Sequence, residues 1–580
     1  MQALEGYSPP TLEKRPEDPK DKKPLTIRII LLCDGTNNNK FNIAEREKFE
    51  IGSEEESASH KNFGKVGSSY ENGRTNIATM EPHVVDGKNA GYSIVVKVYV
   101  EGQGTTQAEE DAVLKGIALA VFKTGVAKRA QTGINDALKE LNAFFHDHKP
   151  EEYFIQQVDV DVFGFSRGSA TARHAIHLIT DVKTIYIEDE YGYGAETVII
   201  NQPLFERLRT TYGYREMRED RVKIIFAGLY DTVVSVFGSQ LMPRWVANNT
   251  RDQKAVAKAK FALHLAAADE HRADFPLHKI KSSLDVGQGA EYYLPGVHSD
   301  IGGSYNLAND ELLKEGKEKK NSEIREVKCV GSYGDCMKKQ EQLLELPEYR
   351  DRIWNLRIHP ITDNWVFADT YRLYAYRRIE SLEYARTTDE EDRVINRGRI
   401  VDLKEDMGNL IKDGWYTNKD YRQIHIDTDL VATAARLHPL SLALTPVLGS
   451  PVSGKLIVNR RRIHSSYCNI PLKFMVEHSR KHSILIKTEL DNRINTILGE
   501  VKEFADLEAK LRKYMDSKGV AGSHPNDWLN IESAMAIYPG IRDLRNQHLH
   551  MSSRFDCPVK DMGYTPRLEN NRRRRFYYEG

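Results

Sequence analysis

The stretch Val158-Asp159-Val160-Asp161-Val162-Phe163-Gly164-Phe165-Ser166-Arg167-Gly168-Ser169-Ala170-Thr171-Ala172-Arg173-His174-Ala175-Ile176 reads as a strand, a tight turn and a helix in direct succession. That order, with Gly164-Phe165-Ser166-Arg167-Gly168 at the turn, is the order of a nucleophile elbow. Small residues on either side of the serine let the chain bend sharply enough to lift its hydroxyl clear of the backbone. The helix that follows aims its unpaired N–H groups at the same point, where they favour negative charge. The five-residue GxSxG string is weak by itself; the strand before it and the helix after it give it weight.

Working outward, Thr26 to Leu32, Ile94 to Val100 and Val222 to Ala227 are short apolar runs with the composition of buried strands. Ala108 to Phe122 and Val126 to His146 carry apolar residues at helical spacing, separated by Gly125. Strands alternating with helices predict an α/β fold, a mostly parallel sheet covered on both faces. Reactive groups then belong at the C-terminal ends of the strands.

Serine needs a base to take its proton and a carboxylate to orient that base, and after an elbow the chain order is acid, then histidine. Asp231, in Gly228-Leu229-Tyr230-Asp231-Thr232-Val233, follows the strand ending near Phe226. His298 lies in a glycine-dense loop, Pro295-Gly296-Val297-His298-Ser299-Asp300-Ile301-Gly302-Gly303, after the short strand Glu291 to Leu294. Asp300 is the competing acid and His550 the competing base. His264 and His271 fall in Lys258 to His271, which reads as a helix. An oxyanion hole takes one N–H from Arg167, next to the serine, and a second from an early strand-end loop. Cys33-Asp34-Gly35-Thr36-Asn37-Asn38-Asn39 supplies Gly35 or Thr36 for that purpose, although the same run also suits a polar turn or a cation site built on Asp34 and Asn37.

Composition sets the limits. The chain has 580 residues, with 83 Lys plus Arg against 84 Asp plus Glu and a net charge of -1, so no global basic surface points to nucleic acid. Residues 1–24 form a polar leader without the apolar stretch of a secretory signal, 25–305 the α/β core, and 306–580 mainly helical insertions or a cap ending in a segment that returns to the core. In that last region no clear strand series reappears, Lys473 to Met515 reads as long helices, and Leu430 to Leu448 is the most apolar stretch. The five cysteines are too scattered for a disulfide framework. Cys329 and Cys336 would close a small loop or begin a metal site, but nothing completes a zinc set, and unlinked thiols are expected.

Five blocks in order carry a resemblance to a known family: Leu32 to Asn38, Gly164 to Gly168, Gly228 to Val233, His264 to Arg272 and Pro295 to Gly303. Together they resemble the first, GxSxG-bearing family of type VI secretion lipase effectors. The resemblance implies an α/β-hydrolase core interrupted by helical insertions, and an antibacterial phospholipase A acting on membrane glycerophospholipids. It further implies cytoplasmic synthesis, delivery on a VgrG-like spike into a rival's periplasm, and a cognate immunity protein in the producer. By motif it makes Ser166 the nucleophile, Asp231 the acid and His298 the base, with no metal or cofactor. Glu101-Gly102-Gln103-Gly104-Thr105 departs from the family's usual Asp-Gly-Val-Gly-Thr, and the Cys329 to Cys336 insertion has no counterpart there. The closing Arg572-Arg573-Arg574-Arg575-Phe576-Tyr577-Tyr578 reads either as a solvated tail or as an anchor for anionic headgroups.

Overall fold

A computed structural model describes residues 18–50, 69–70, 72–89, 91–107, 125–181, 185–187, 198–200, 202–234, 253–305, 318–346, 355–360, 371–383, 388–389, 393–418, 421–426, 453–458, 462–463, 465–519, 522–553, 568–569, 572–575 and 577–579. Its centre is one sheet of β1 (Lys23–Cys33), β2 (Gly87–Asn89), β3 (Tyr92–Val100), β4 (Tyr153–Phe165), β5 (Val222–Tyr230), β6 (Ala259–Ala267) and β7 (Gly289–Leu294). The strands lie in the order β7-β6-β5-β4-β1-β3-β2, all parallel except the short edge strand β2. From β1 the chain moves outward to β3, then crosses back to β4 and continues the other way. The reversal puts a crevice beyond the carboxyl ends of β1 and β4, where ligands bind in open α/β sheets.

The helices relevant to the site are α1 (Asn76–Met80), α2 (Val126–Asp147), α3 (Arg167–Thr180), α4 (His298–Gly302), α5 (Asn469–Lys481), α6 (Glu489–Gly499) and α7 (Lys502–Lys518). Alternation within the strands divides the core between them. Ile27, Ile29, Leu31, Val158, Val160 and Val162 pack with Leu138 and Leu141 of α2 and Ile176 of α3. Ile30, Leu32 and Phe163 point the other way, toward Phe474 of α5, Ile494 of α6 and Leu507 of α7. Helices from the far end of the chain therefore cover the second face of a sheet built from its beginning.

Asp161 follows the same alternation and so lands in the second face, fully buried. It is held by Arg28 of β1, whose Nε donates to Oδ2 at 2.6 Å and Nη2 to Oδ1 at 3.1 Å. The guanidinium also donates to the carbonyls of Ser483 and His482, just past α5. One cation thus ties two central strands to the helical cover. Burial still pushes the Asp161 carboxyl up to about 6 against the opposing pull of Arg28.

Two sequence readings need correction here. Lys258 to His271 is not a helix: Ala259–Ala267 is β6, flanked by β5 and β7. Its apolar run is buried on both faces, and in that situation periodicity does not separate a strand from a helix. Strands also return after residue 305. Glu318–Gly331, Tyr371–Glu383 and Asn355–Pro360 form one antiparallel sheet, and Arg393–Arg399, Ser453–Val458 and Tyr421–Ile426 another. Lys473 to Met515 is helical as expected, in three pieces. Ala108 to Phe122 and Leu430 to Leu448 lie outside the described residues. Cys329 and Cys336 are free thiols. Among the described residues no helix is long and apolar enough to cross a membrane.

Arg28→Met should destabilise the protein by about 3–5 kcal/mol, because it strands a buried carboxylate. The midpoint of chemical denaturation checks this; an unchanged midpoint would mean that water, not Arg28, satisfies Asp161.

Candidate active site

Five neighbouring strands end along one rim, and each delivers a polar residue there: β1 gives Asp34, β4 Ser166, β5 Asp231, β6 Asp269 and Glu270, and β7, after a short turn, His298. The registers bring these ends level, with Cys33 opposite Gly164, Phe165 opposite Tyr230, and Ala267 opposite Leu294.

Ser166 is the residue before α3, with φ 59° and ψ -127°, a conformation that L-residues rarely adopt. Its flanking glycines are dictated by contact. A Cβ on Gly164 would stand 2.5 Å from backbone atoms of Gly168 and Ser169, and one on Gly168 would stand 2.3 Å from the carbonyl oxygen of Asp34. The elbow is fixed by Ser166 N–H donating to Tyr230 O at 3.1 Å, and by the Ser166 carbonyl accepting from Val233 N–H at 3.3 Å. Among the described residues Ser166 Oγ makes no hydrogen bond, and contacts of this kind often tighten only with substrate bound.

Asp231 also has a positive φ, 40°, and is completely buried. Oδ1 accepts from Ala267 N–H at 2.8 Å and Arg575 Nη1 at 2.6 Å; Oδ2 accepts from Arg575 Nη2 at 2.8 Å and lies 2.5 Å from His298 Nδ1. Burial alone would raise its pKa, but the Arg575 guanidinium, with His298, holds the carboxyl well below the usual carboxylate range. An ionised carboxylate only accepts, so His298 Nδ1 carries the proton and Nε2 is left with its lone pair.

The His298 ring is held by aromatic neighbours: Phe165, the residue before Ser166, has its centroid 4.6 Å away, and Phe275 meets the ring edge-on at 5.0 Å. Burial lowers the pKa of His298, against the pull of Asp231. Its backbone N–H donates to Glu270 Oε2 at 3.2 Å. Glu270 in turn accepts from Arg272 Nε and Nη2, each at 2.9 Å, and from Ser552 Oγ at 2.8 Å.

The rival residues sort themselves by partner. Asp300 and His550 pair with each other, Oδ1 to Nδ1 at 2.7 Å, and Tyr305 stacks on that imidazole at 3.6 Å. This second acid–histidine couple does not involve Asp231, the carboxylate beside the elbow. His264 is saturated, with Nδ1 2.9 Å from Glu291 Oε2 and Nε2 accepting from Thr232 N–H at 3.1 Å. His271 meets Trp415 edge-on, and burial pushes its pKa down to about 3.

The loop after β1 packs against α3. Gly35 N–H is spent on Asp34 Oδ1 at 2.7 Å, so of the two expected donors Thr36 is the one that remains. Asp34 also accepts from Thr75 Oγ1 at 2.7 Å and Tyr99 OH at 2.5 Å, so protein donors occupy the oxygens that a cation would need. Gln103, one of the two residues, with Glu101, at which the loop after β3 departs from the pattern Asp-Gly-Val-Gly-Thr, donates to Thr171 Oγ1 at 2.6 Å and Arg167 O at 3.3 Å and clamps the first turn of α3.

The largest surprise is the tail. Arg573 and Arg575 are buried, neither solvated nor offered to headgroups. Arg573 forms a two-pronged pair with Asp406 at 3.1 and 2.8 Å, and Tyr577–Tyr578 adds in parallel to Leu277–His278. Sequence reading missed Arg575 because a run of four arginines looks like an exposed charge run. Glu270 escapes it because the pattern around that residue reads as a helix, whereas the strand Ala259–Ala267 ends just before it.

The model of one protein family, described as the catalytic domain of Tle1-like phospholipase effectors of the type VI secretion system, matches residues 27–325. Among solved structures the chain is similar to the Tle1 effector bound to the VgrG spike, at 17% identity over 96% of this chain and 94% of that one, with a TM-score of 0.47. It is also similar to an uncharacterized protein from Pseudomonas aeruginosa, at 19% identity over 51% of this chain and 43% of that one, with a TM-score of 0.26. No curated protein matches.

Gly168→Ala should cost about 1–3 kcal/mol by forcing α3 off the β1 loop. Gly408→Ala, in open space within the helix Ile400–Lys412, should instead stabilise by about 0.5–1 kcal/mol. Paired thermal melts check both signs.

Proposed function

This chain belongs to the Tle1-like phospholipase effectors of the type VI secretion system, and we propose that it is a serine phospholipase A in which Ser166, His298 and Asp231 form the catalytic triad. The observation that carries the reading is the Asp231–His298 hydrogen bond, formed one strand away from a serine in a strained strand-to-helix turn.

In this mechanism Ser166 Oγ attacks an acyl ester carbonyl of a glycerophospholipid while His298 Nε2 takes the hydroxyl proton. The Arg167 N–H and the Thr36 N–H of the β1 loop hold the oxyanion, since the Gly35 N–H is engaged by Asp34, and the N-terminus of α3 adds its partial positive charge. His298 then gives its proton to the departing lysophospholipid oxygen. Water, deprotonated by the same imidazole, releases the fatty acid from Ser166. Asp231 keeps the imidazole in the Nδ1–H tautomer throughout. No step calls on a metal or cofactor.

As a type VI effector the enzyme would ride a VgrG-like spike into the periplasm of a rival bacterium, and a cognate immunity protein would guard the producer. Family membership supports that route. The substrate on this reading is membrane phospholipid, not a soluble ester.

Ser166→Ala should lower fatty-acid release from phospholipid liposomes at least roughly a thousandfold. Mass spectrometry of the products from a phospholipid with unlike acyl chains identifies the ester cut. Release from a short soluble ester with none from liposomes would overturn the phospholipase reading in favour of a carboxylesterase.

The sign of the pH dependence follows from His298, which must be neutral to act as base. Because burial lowers its pKa, kcat/KM should hold below the ordinary histidine value of about 6.5 and fall only as the pH drops through the lowered value. A pH profile on soluble ester checks this.

A further inference from the structure

We propose that Arg575, on the C-terminal tail, is a positioning residue of the active site, setting the charge and orientation of Asp231 and through it those of His298. The proposal rests on the serine-hydrolase reading above and adds to it a fourth residue, one that no triad requires.

The geometry is specific. Arg575 presents its forked edge to Asp231, Nη1 to Oδ1 at 2.6 Å and Nη2 to Oδ2 at 2.8 Å, so both oxygens are fixed in one plane. Its remaining donors reach backbone on either side, Nη1 to Ala267 O at 3.2 Å and Nε to Phe275 O at 2.7 Å. Ala267 is the residue whose N–H also donates to Asp231. Phe275 is the residue whose ring packs edge-on against His298. One guanidinium therefore holds the carboxylate that accepts from the imidazole and the backbone of an aromatic that walls it in.

The position of the pair argues against a purely architectural role. The carboxylate shares Oδ2 between His298 Nδ1 and Arg575 Nη2, so any rotation that improves one contact strains the other. The charged groups facing this centre come from every element around it: Asp231 after β5, Glu270 and Arg272 after β6, His298 at the start of α4, and Arg575 with Tyr577 from the tail. Glu270 is itself committed to Arg272. Among the described residues Arg575 is thus the cation that pairs with Asp231, and with that balance the imidazole is less inclined to hold a second proton at rest. It then remains a free base at lower pH, while the tautomer that Asp231 selects is kept.

The test compares Arg575→Gln, Arg575→Lys and Ser166→Ala in the full chain, with rates normalised to folded protein on a soluble ester and on liposomes. Arg575→Gln removes the balancing charge, so the acid limb of kcat/KM should move up by about 0.5–1 pH unit and kcat should fall roughly tenfold or more, with KM within about twofold. Arg575→Lys keeps the charge and loses the fork; its acid limb should stay at the wild-type position, with kcat reduced. A merely structural role lowers the folded fraction without moving the limb, so a wild-type acid limb in folded Arg575→Gln overturns the proposal. If Arg575→Gln does not fold, Arg575→Lys decides: wild-type kcat there overturns the role. Ser166→Ala separates the two levels of inference. Full activity in that variant would sink the triad itself, whereas loss there beside an unmoved Arg575→Gln profile would sink only the positioning role.

Discussion

The carboxylate of Asp231 is the point on which the rest of the site depends. It is buried without solvent, in a backbone conformation that few residues tolerate, and a bare charge there would be costly. Four N–H donors offset that cost, from the β6 backbone, from His298 and twice from Arg575. Each donor belongs to a different stretch of sequence from Asp231 itself. Satisfying one buried anion therefore fixes how β5, β6, the start of α4 and the segment that carries Arg575 meet, and the serine lies on the neighbouring strand end of that junction.

The same logic recurs in the sheet. Asp161 sits in the apolar face because strict strand alternation leaves it no alternative, and Arg28 answers it while also reaching the carbonyls beyond α5. In both places an Asp placed by strand geometry is met by an Arg that then recruits backbone from a distant segment. The apolar clusters bring the layers together; the two arginines fix their relative position, since hydrophobic contact is indifferent to small shifts whereas a forked hydrogen bond is not.

The strand, turn and helix around Ser166 were legible from residues 158–176, because each transition is signalled locally by period and by glycine. Asp231 and His298 were legible as strand-end residues, and the structure brings those two together. What stayed hidden was partnership across long separations. Nothing local distinguishes Arg575 from Arg574, and only the fold shows which of them faces a carboxylate. β6 was misread for a related reason: a run of small apolar residues buried on both faces lacks the alternation that marks an exposed-edge strand. The strands after residue 305 were missed because charged residues interrupt them, which weakens the hydrophobic pattern by which strands are recognised.

Asp231 and Arg575 stand 344 positions apart in the chain. During synthesis the core strands are complete long before the residue that neutralises their central charge exists. Until the tail arrives, the strand ends around Asp231 enclose an anion with one cation too few, and the lower-energy state is one that lets in water or takes up a proton. Closing the rim joins residues far apart in the chain, a contact that loop-closure entropy makes slow to form. The centre is fully ordered only once the segment that carries Arg575 has docked on Asp231.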